Sequence, residues 1–170
     1  MMISLSPVDL LLRVSAASVG AGEYPANTNR GPYVEPILKS TGTEKGNPWC
    51  ASQISRWGKL ALGKDWPVVN TASVVQMCEW AEARKVLYST KTPPQVGDLY
   101  TLWNAKRKRQ AHVGLIVSVQ AGLVVLTRDG NTALPGDDNP ETQREGWVVA
   151  EKFRTLTDKD CIIRWVEALA

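Results

Sequence analysis

Up to Pro93-Pro94 the apolar side chains recur every three to four positions. Beyond that point they come in short runs rich in β-branched and aromatic residues. Ser6-Pro7 is a helix start, an N-cap followed by proline at the first helical position. Val8, Leu11, Leu12 and Val19 then fall on one face, and Gly20 or Gly22 stops the helix. Residues 23–33 hold Pro25, Asn27, Asn29, Gly31 and Pro32 and read as a loop. Val34, Ile37 and Leu38 predict a short second helix ending near Gly42. A third runs from Cys50 to about Leu62, with Ala51, Ile54, Trp57, Leu60 and Ala61 inward and Gly63 as its stop. A fourth covers about 73–85, with Val74, Met77, Cys78 and Ala81 inward.

Strands are expected over residues 98–103, 112–119, 123–127, 147–153 and 161–166, the last grading into a helical 167–169. Helices first and an antiparallel sheet afterwards is an α+β arrangement, and 170 residues favour one domain. No stretch approaches a membrane span of about 18 apolar residues. Leu10-Leu11-Leu12 and the small residues after it superficially suggest a signal peptide. No Lys or Arg precedes them, however, and Pro7, Asp9 and Arg13 interrupt the run. The expectation is therefore a protein made in the cytoplasm without a leader.

Composition changes this picture little. Hydrophobic residues are 44% of the chain and charged residues 22%, with a formal charge of +3. Seven Trp against one Phe suggests that some indoles line a groove. Three widely spread cysteines make no disulfide framework, and one histidine without a CxxC makes zinc improbable. Lys106-Arg107-Lys108-Arg109 is the one cationic cluster. It reads as a solvated turn, the alternative being docking onto an anionic polymer, and no interleaved aromatics support a nucleic-acid groove. Gly136-Asp137-Asp138-Asn139 lacks the ligand spacing of a calcium hand and reads as an acidic turn.

Chemistry concentrates at Cys50, placed where a loop becomes a helix, with Asn47 as a candidate cap. Free N–H groups at such an end favour an anion by about 0.3–1 kcal/mol. They suit both a thiolate and the oxyanion of a tetrahedral intermediate. Cys78 and Cys161, on apolar stretches, read as structural. A nucleophilic cysteine needs a base, and His112 is the one histidine. It begins a strand, followed by glycine, a place near the surface. If 112–119 and 123–127 form a hairpin, a loop at Gln120-Ala121 sets His112 opposite Asp129. A loop at Ala121-Gly122 sets it opposite Asn131. Either could orient the imidazole.

Asn47-Pro48-Trp49-Cys50-Ala51-Ser52, Val96-Gly97-Asp98-Leu99, His112-Val113-Gly114-Leu115-Ile116-Val117 and Asp129-Gly130-Asn131-Thr132 resemble the CHAP domain in order and spacing. These are the cysteine, histidine-dependent amidohydrolase/peptidases among papain-like cell-wall hydrolases, and the resemblance spans about residues 20–155. It implies a papain-like α+β fold that cuts an amide bond of peptidoglycan without a cofactor. Cys50 would be nucleophile, His112 base and Asp129 orienter. Asn131 would support the oxyanion or share the orienting role, and Trp49 and Trp103 would flank the groove. Some CHAP enzymes bind calcium through acids before the nucleophile; residues 40–47 offer only Glu44, so no metal is expected. A monomer is expected, acting in the periplasm or wall after delivery by phage lysis, a virion tail or a secretion system, in the last case with an immunity protein as possible partner. A binding module that keeps the fold, or a protease acting on proteins, are the competing readings.

Overall fold

A computed structural model describes residues 5–136 and 146–169. It is an α+β fold of four α-helices and an antiparallel six-stranded sheet. The helices are α1 (Pro7–Ala16), α2 (Val34–Ser40), α3 (Cys50–Leu62) and α4 (Val74–Ala83). The strands are β1 (Leu87–Ser89), β2 (Leu99–Asn104), β3 (Arg109–Val119), β4 (Val124–Thr132), β5 (Val148–Thr155) and β6 (Cys161–Ile163), in the order β1-β6-β2-β3-β4-β5. No helix among the described residues is long and apolar enough to cross a membrane. The acidic turn expected at 137–139 lies outside the described residues.

Helix starts follow their local chemistry. Ser6 caps α1 by accepting from the Asp9 N–H at 3.1 Å, and Asp9 returns the bond to the Ser6 N–H at 3.2 Å, a capping box. Ser73 caps α4 by accepting from Gln76 N–H. α3 differs: its N-cap is Trp49, which supplies no side-chain bond, and the Asn47 amide donates instead to the Glu44 carbonyl. Asn47 is therefore not the cap its position suggested.

The larger core packs α1, α3 and α4 on Leu99, Val113, Leu115 and Ile163 of the sheet. Side chains alternate across a strand, so Tyr100 and Ile116 turn to the other face, where they form a smaller cluster with Val125 and Leu156. Trp49, Trp57, Trp66, Trp80 and Trp165 are all buried, so most of the indoles are core rather than groove. A buried Trp removes about 150–250 Å² from water, roughly 4–6 kcal/mol before ordering costs. Leu60, expected inward, is exposed, while Trp57, Ala61 and Leu62 of the same half of α3 pack on the core. The polar first half finds partners inside: Ser52 pairs with Thr41 at 2.8 Å, Gln53 accepts from Tyr33 at 3.0 Å while its Nε2 has none, and Ser55 donates to the Thr71 carbonyl at 3.2 Å.

The β3–β4 hairpin runs through a turn at residues 120–123, and a bulge near Ile116 shifts its register. Below the bulge Leu115 faces Arg128 and Ile116 faces Thr127. Below the bulge this is the register expected for a loop at Ala121-Gly122, although the turn itself is wider. Sheet strand β1 was not foreseen; three residues give too little pattern to read.

Candidate active site

Cys50 opens α3 and lines a cleft of about 430 Å³. The walls are the loop before α3, residues 71–76 at the start of α4, and residues 107–111 at the β2–β3 turn. Cys50 is 5% exposed and lines that opening. Cys78 and Cys161 are away from it, and burial pushes the Cys78 thiol up to about 11. Burial likewise raises Cys161.

Two loop contacts fix how α3 begins. The Trp49 N–H donates to Asn131 Oδ1 at 2.7 Å, and the Trp49 indole donates to Glu23 Oε1 at 2.9 Å. Glu23 is itself tied down, since its other oxygen accepts from the Thr28 and Asn29 N–H groups at 2.7 and 2.8 Å. Gly130 lets the helix come this close: a Cβ there would sit 2.8 Å from Gln53 Cγ and from the Trp49 ring. Trp49 is wholly buried, so it anchors the nucleophile's loop and does not flank the groove.

His112 is fully buried, not near the surface as its place at a strand mouth suggested. β3 is an interior strand between β2 and β4, and it begins at Arg109, so position 112 is already inside the sheet. Nε2 lies 3.8 Å from Asp129 Oδ2, and neither ring nitrogen makes a hydrogen bond within normal distance. Burial by itself lowers the imidazole's proton affinity, but Asp129 and Cys50 outweigh it and hold it above the ordinary 6.5. The Cys50 sulfur is thus within electrostatic reach of the ring. The nitrogen turned to Asp129 is Nε2, and Nδ1 has no hydrogen-bond partner.

Asp129 approaches His112 from the neighbouring cross-strand row, not from directly opposite it. Extending the observed register one residue puts Asp129 opposite Gly114, and Gly114 pairs with Tyr100 on the other side. These three form one cross-strand row. A Cβ on Gly114 would lie 1.8 Å from Asp129 Oδ1 and 2.6 Å from Tyr100 Cε1, so the absent side chain is the space in which they meet. Tyr100 Oη donates to Asp129 Oδ1 at 2.6 Å, Thr127 Oγ1 to Oδ2 at 3.3 Å, and Arg154 to Oδ2 through Nε at 2.9 Å and Nη2 at 2.7 Å. Burial would raise the carboxyl's pKa, but Arg154, His112 and Tyr100 together hold it well below the usual carboxylate range. Asp129 is an anion packed behind the imidazole.

Asn131, by contrast, sits at φ +58° with its amide spent on Trp49 and on the Gly146 carbonyl at 3.0 Å. Its oxygen and nitrogen both hold backbone, so it neither faces His112 nor offers a donor to the cleft. Trp103 is 37% exposed but lies in a separate hollow with Phe153 and Asp160, outside the Cys50 cleft. Arg107 and Arg109 are exposed at the β2–β3 turn, as expected, and they also border the cleft. Among the described residues no three His, Cys, Asp or Glu side chains gather as a metal site would require.

Tyr100, Arg154 and Glu23 were missed from sequence. Tyr100 was findable, since the β2–β3 register puts it beside Gly114. Arg154 and Glu23 come from distant segments, and nothing local marks them.

No family model matches the chain, and no curated protein does. Two solved structures resemble it. One is of Ly7917, with TM-score 0.49 and 15% identity, over 93% of this chain and 62% of that chain. The other is of Ly7917 with the hydrolyzing product of MDP, with TM-score 0.47 and 15% identity, over 92% and 62%. The present chain thus spans less than two thirds of the length of those it resembles.

Proposed function

We propose that the protein is a cysteine-dependent hydrolase that cuts an amide bond of peptidoglycan through a thioester acyl-enzyme. The observation that carries this reading is Cys50, on the wall of an open cleft, within electrostatic reach of an imidazole backed by the Asp129 carboxylate. His112 takes the thiol proton through Nδ1, and the Cys50 sulfur attacks the amide carbon. The N–H groups at the uncapped start of α3 receive the oxyanion. The protonated imidazole then gives its proton to the departing amine, leaving a Cys50 thioester. A water deprotonated by His112 hydrolyses that ester and restores the enzyme. Asp129, 3.8 Å from Nε2, stabilises the imidazolium by its charge.

Peptidoglycan as substrate rests on the sequence motifs around Cys50, Asp98, His112 and Asp129, which resemble those of CHAP cell-wall hydrolases. The experiment compares the protein and a Cys50→Ala variant on purified peptidoglycan, with the released fragments read by mass spectrometry. New amines at the lactyl–alanine bond indicate an amidase, and cuts within the peptide an endopeptidase. Equal release by both proteins removes Cys50 from the mechanism. Cleavage of proteins but not of peptidoglycan redirects the reading to a protease.

A further inference from the structure

Tyr100 is wholly buried on β2, packed with Ile116, Val125 and Leu156, and its side chain meets three members of the row behind Cys50. Its hydroxyl donates to Asp129 Oδ1 at 2.6 Å, its ring lies 6.4 Å from the imidazole of His112 at a tilt of 52°, and the Arg154 guanidinium stands 5.8 Å over its face. The two oxygens of Asp129 are served differently. Oδ2, the one turned to His112, accepts from Thr127 and from two Arg154 nitrogens. Oδ1 accepts from Tyr100 and from no other described residue. The terminal torsion of an aspartate is soft, so a carboxylate held at one oxygen can still swing, and a donor on the other oxygen fixes its plane. The donor here is constant. Burial holds the phenol well above its ordinary 10, so the hydroxyl keeps its proton wherever His112 titrates. A buried hydroxyl needs an acceptor for its own sake, but that need does not ask for an anion whose other oxygen faces the imidazole.

We propose that Tyr100 is a positioning residue for the reaction, its hydroxyl fixing the plane of the Asp129 carboxylate so that Oδ2 stays aimed at His112. Its consequence for catalysis rests on the cysteine-hydrolase reading. The groups that face the imidazole are Asp129 from β4, Cys50 from α3 and Tyr100 from β2, with Arg154 of β5 behind Asp129. Of these, Tyr100 alone holds Oδ1.

Tyr100→Phe keeps the ring and removes only the oxygen. The chain has one histidine, so its imidazole gives a single titration by NMR, read without substrate. The parent, Tyr100→Phe, Asp129→Asn and the double variant are titrated, and kcat and KM on soluble peptidoglycan fragments are measured for the same four. Tyr100→Phe should lower the imidazole pKa in the same direction as Asp129→Asn, and by less. It should lower kcat about 10- to 100-fold, as a misplaced catalytic group does, with KM within about two-fold. In the Asp129→Asn background it should change neither the pKa nor kcat, because its effect runs through the carboxylate. An imidazole pKa unmoved or raised by Tyr100→Phe, or a loss as large without the carboxylate as with it, overturns the inference. The first comparison needs only Tyr100→Phe, which keeps the packing, so it stands whether or not Asp129→Asn folds. Activity of the parent keeps the two readings apart. Cys50-dependent cleavage with an imidazole indifferent to Tyr100 removes only the positioning role. An imidazole that follows Tyr100 through Asp129, in a protein that cleaves nothing, removes only the activity.

Discussion

The molecule holds two buried aspartates each clamped by a late arginine, and they differ in what stands around them. Asp98 accepts from Arg164 Nη2 at 3.0 Å and from the Gln95 N–H at 2.9 Å, while Arg164 also donates to the Pro93 carbonyl. Those partners pin the backbone where the chain enters β2. Asp129 is held by side chains alone, Arg154, Tyr100 and Thr127, and its carboxylate is aimed at His112. Burial wins at Asp98 and raises its pKa, while at Asp129 the surrounding cation and donors win and lower it. A buried Asp–Arg pair by itself therefore marks no active site. The mark is a spare face of the carboxylate turned to a titrating group.

The largest expected separation is in activity. Asp129→Asn should lower kcat/KM by about 10³- to 10⁴-fold, as loss of a triad's orienting carboxylate does. Asp98→Asn should leave it within about three-fold, because only the chain entry to β2 is loosened. Urea unfolding should nonetheless show both variants less stable by about 3–5 kcal/mol, each stranding a buried guanidinium. An equal loss of activity in the two would erase the distinction.

Gly114→Ala probes the row from its middle. Its methyl would enter the space shared by Asp129 and Tyr100, costing about 1–3 kcal/mol of overpacking. Activity should fall further than the lost stability explains. Asn131→Ala comes next, at about 1–3 kcal/mol for the stranded Trp49 N–H, with a weaker effect on rate because Asp129 stays in place.

The smallest effect is a shift along the pH axis. His112 is raised above 6.5, so its contribution to stability is full below that value and is lost as pH rises through the folded pKa. Asp129 is lowered, so its contribution is present above 3.8 and is lost as pH falls through the folded value. Because His112 must be neutral to take the thiol proton, its raised pKa should set the acidic limb of kcat/KM above 6.5, and Asp129→Asn should move that limb downward. Asp98→Asn should leave it where it is.

How much of this could be read from the chain depends on the range of the interactions. Helix α3 and Cys50 at its start are local, written in a stripe of apolar residues and a glycine stop. The single histidine left no choice of base. Register was harder. Asp129 and Asn131 share a face by alternation, so both stayed open, and the choice turned on an empty Cβ at Gly114 and a positive φ at Asn131. Trp49 and Trp103 misled for opposite reasons. The first is an anchor held by Glu23 from 26 residues upstream, and the second is exposed on a part of the sheet the cleft does not reach. The exposed Arg107–Arg109 turn was legible because its charge pattern is local, whereas the cleft beside it is assembled from three separate segments.

The account stands on a bond between the Cys50 sulfur and the substrate's acyl group. Acid-quenched reactions, examined by intact mass and peptide mapping, should show a thioester on the peptide containing Cys50, and none in a His112→Ala variant over the same interval. Product release with the acyl group on Cys78 or Cys161, or an undiminished Cys50 adduct without His112, would contradict it.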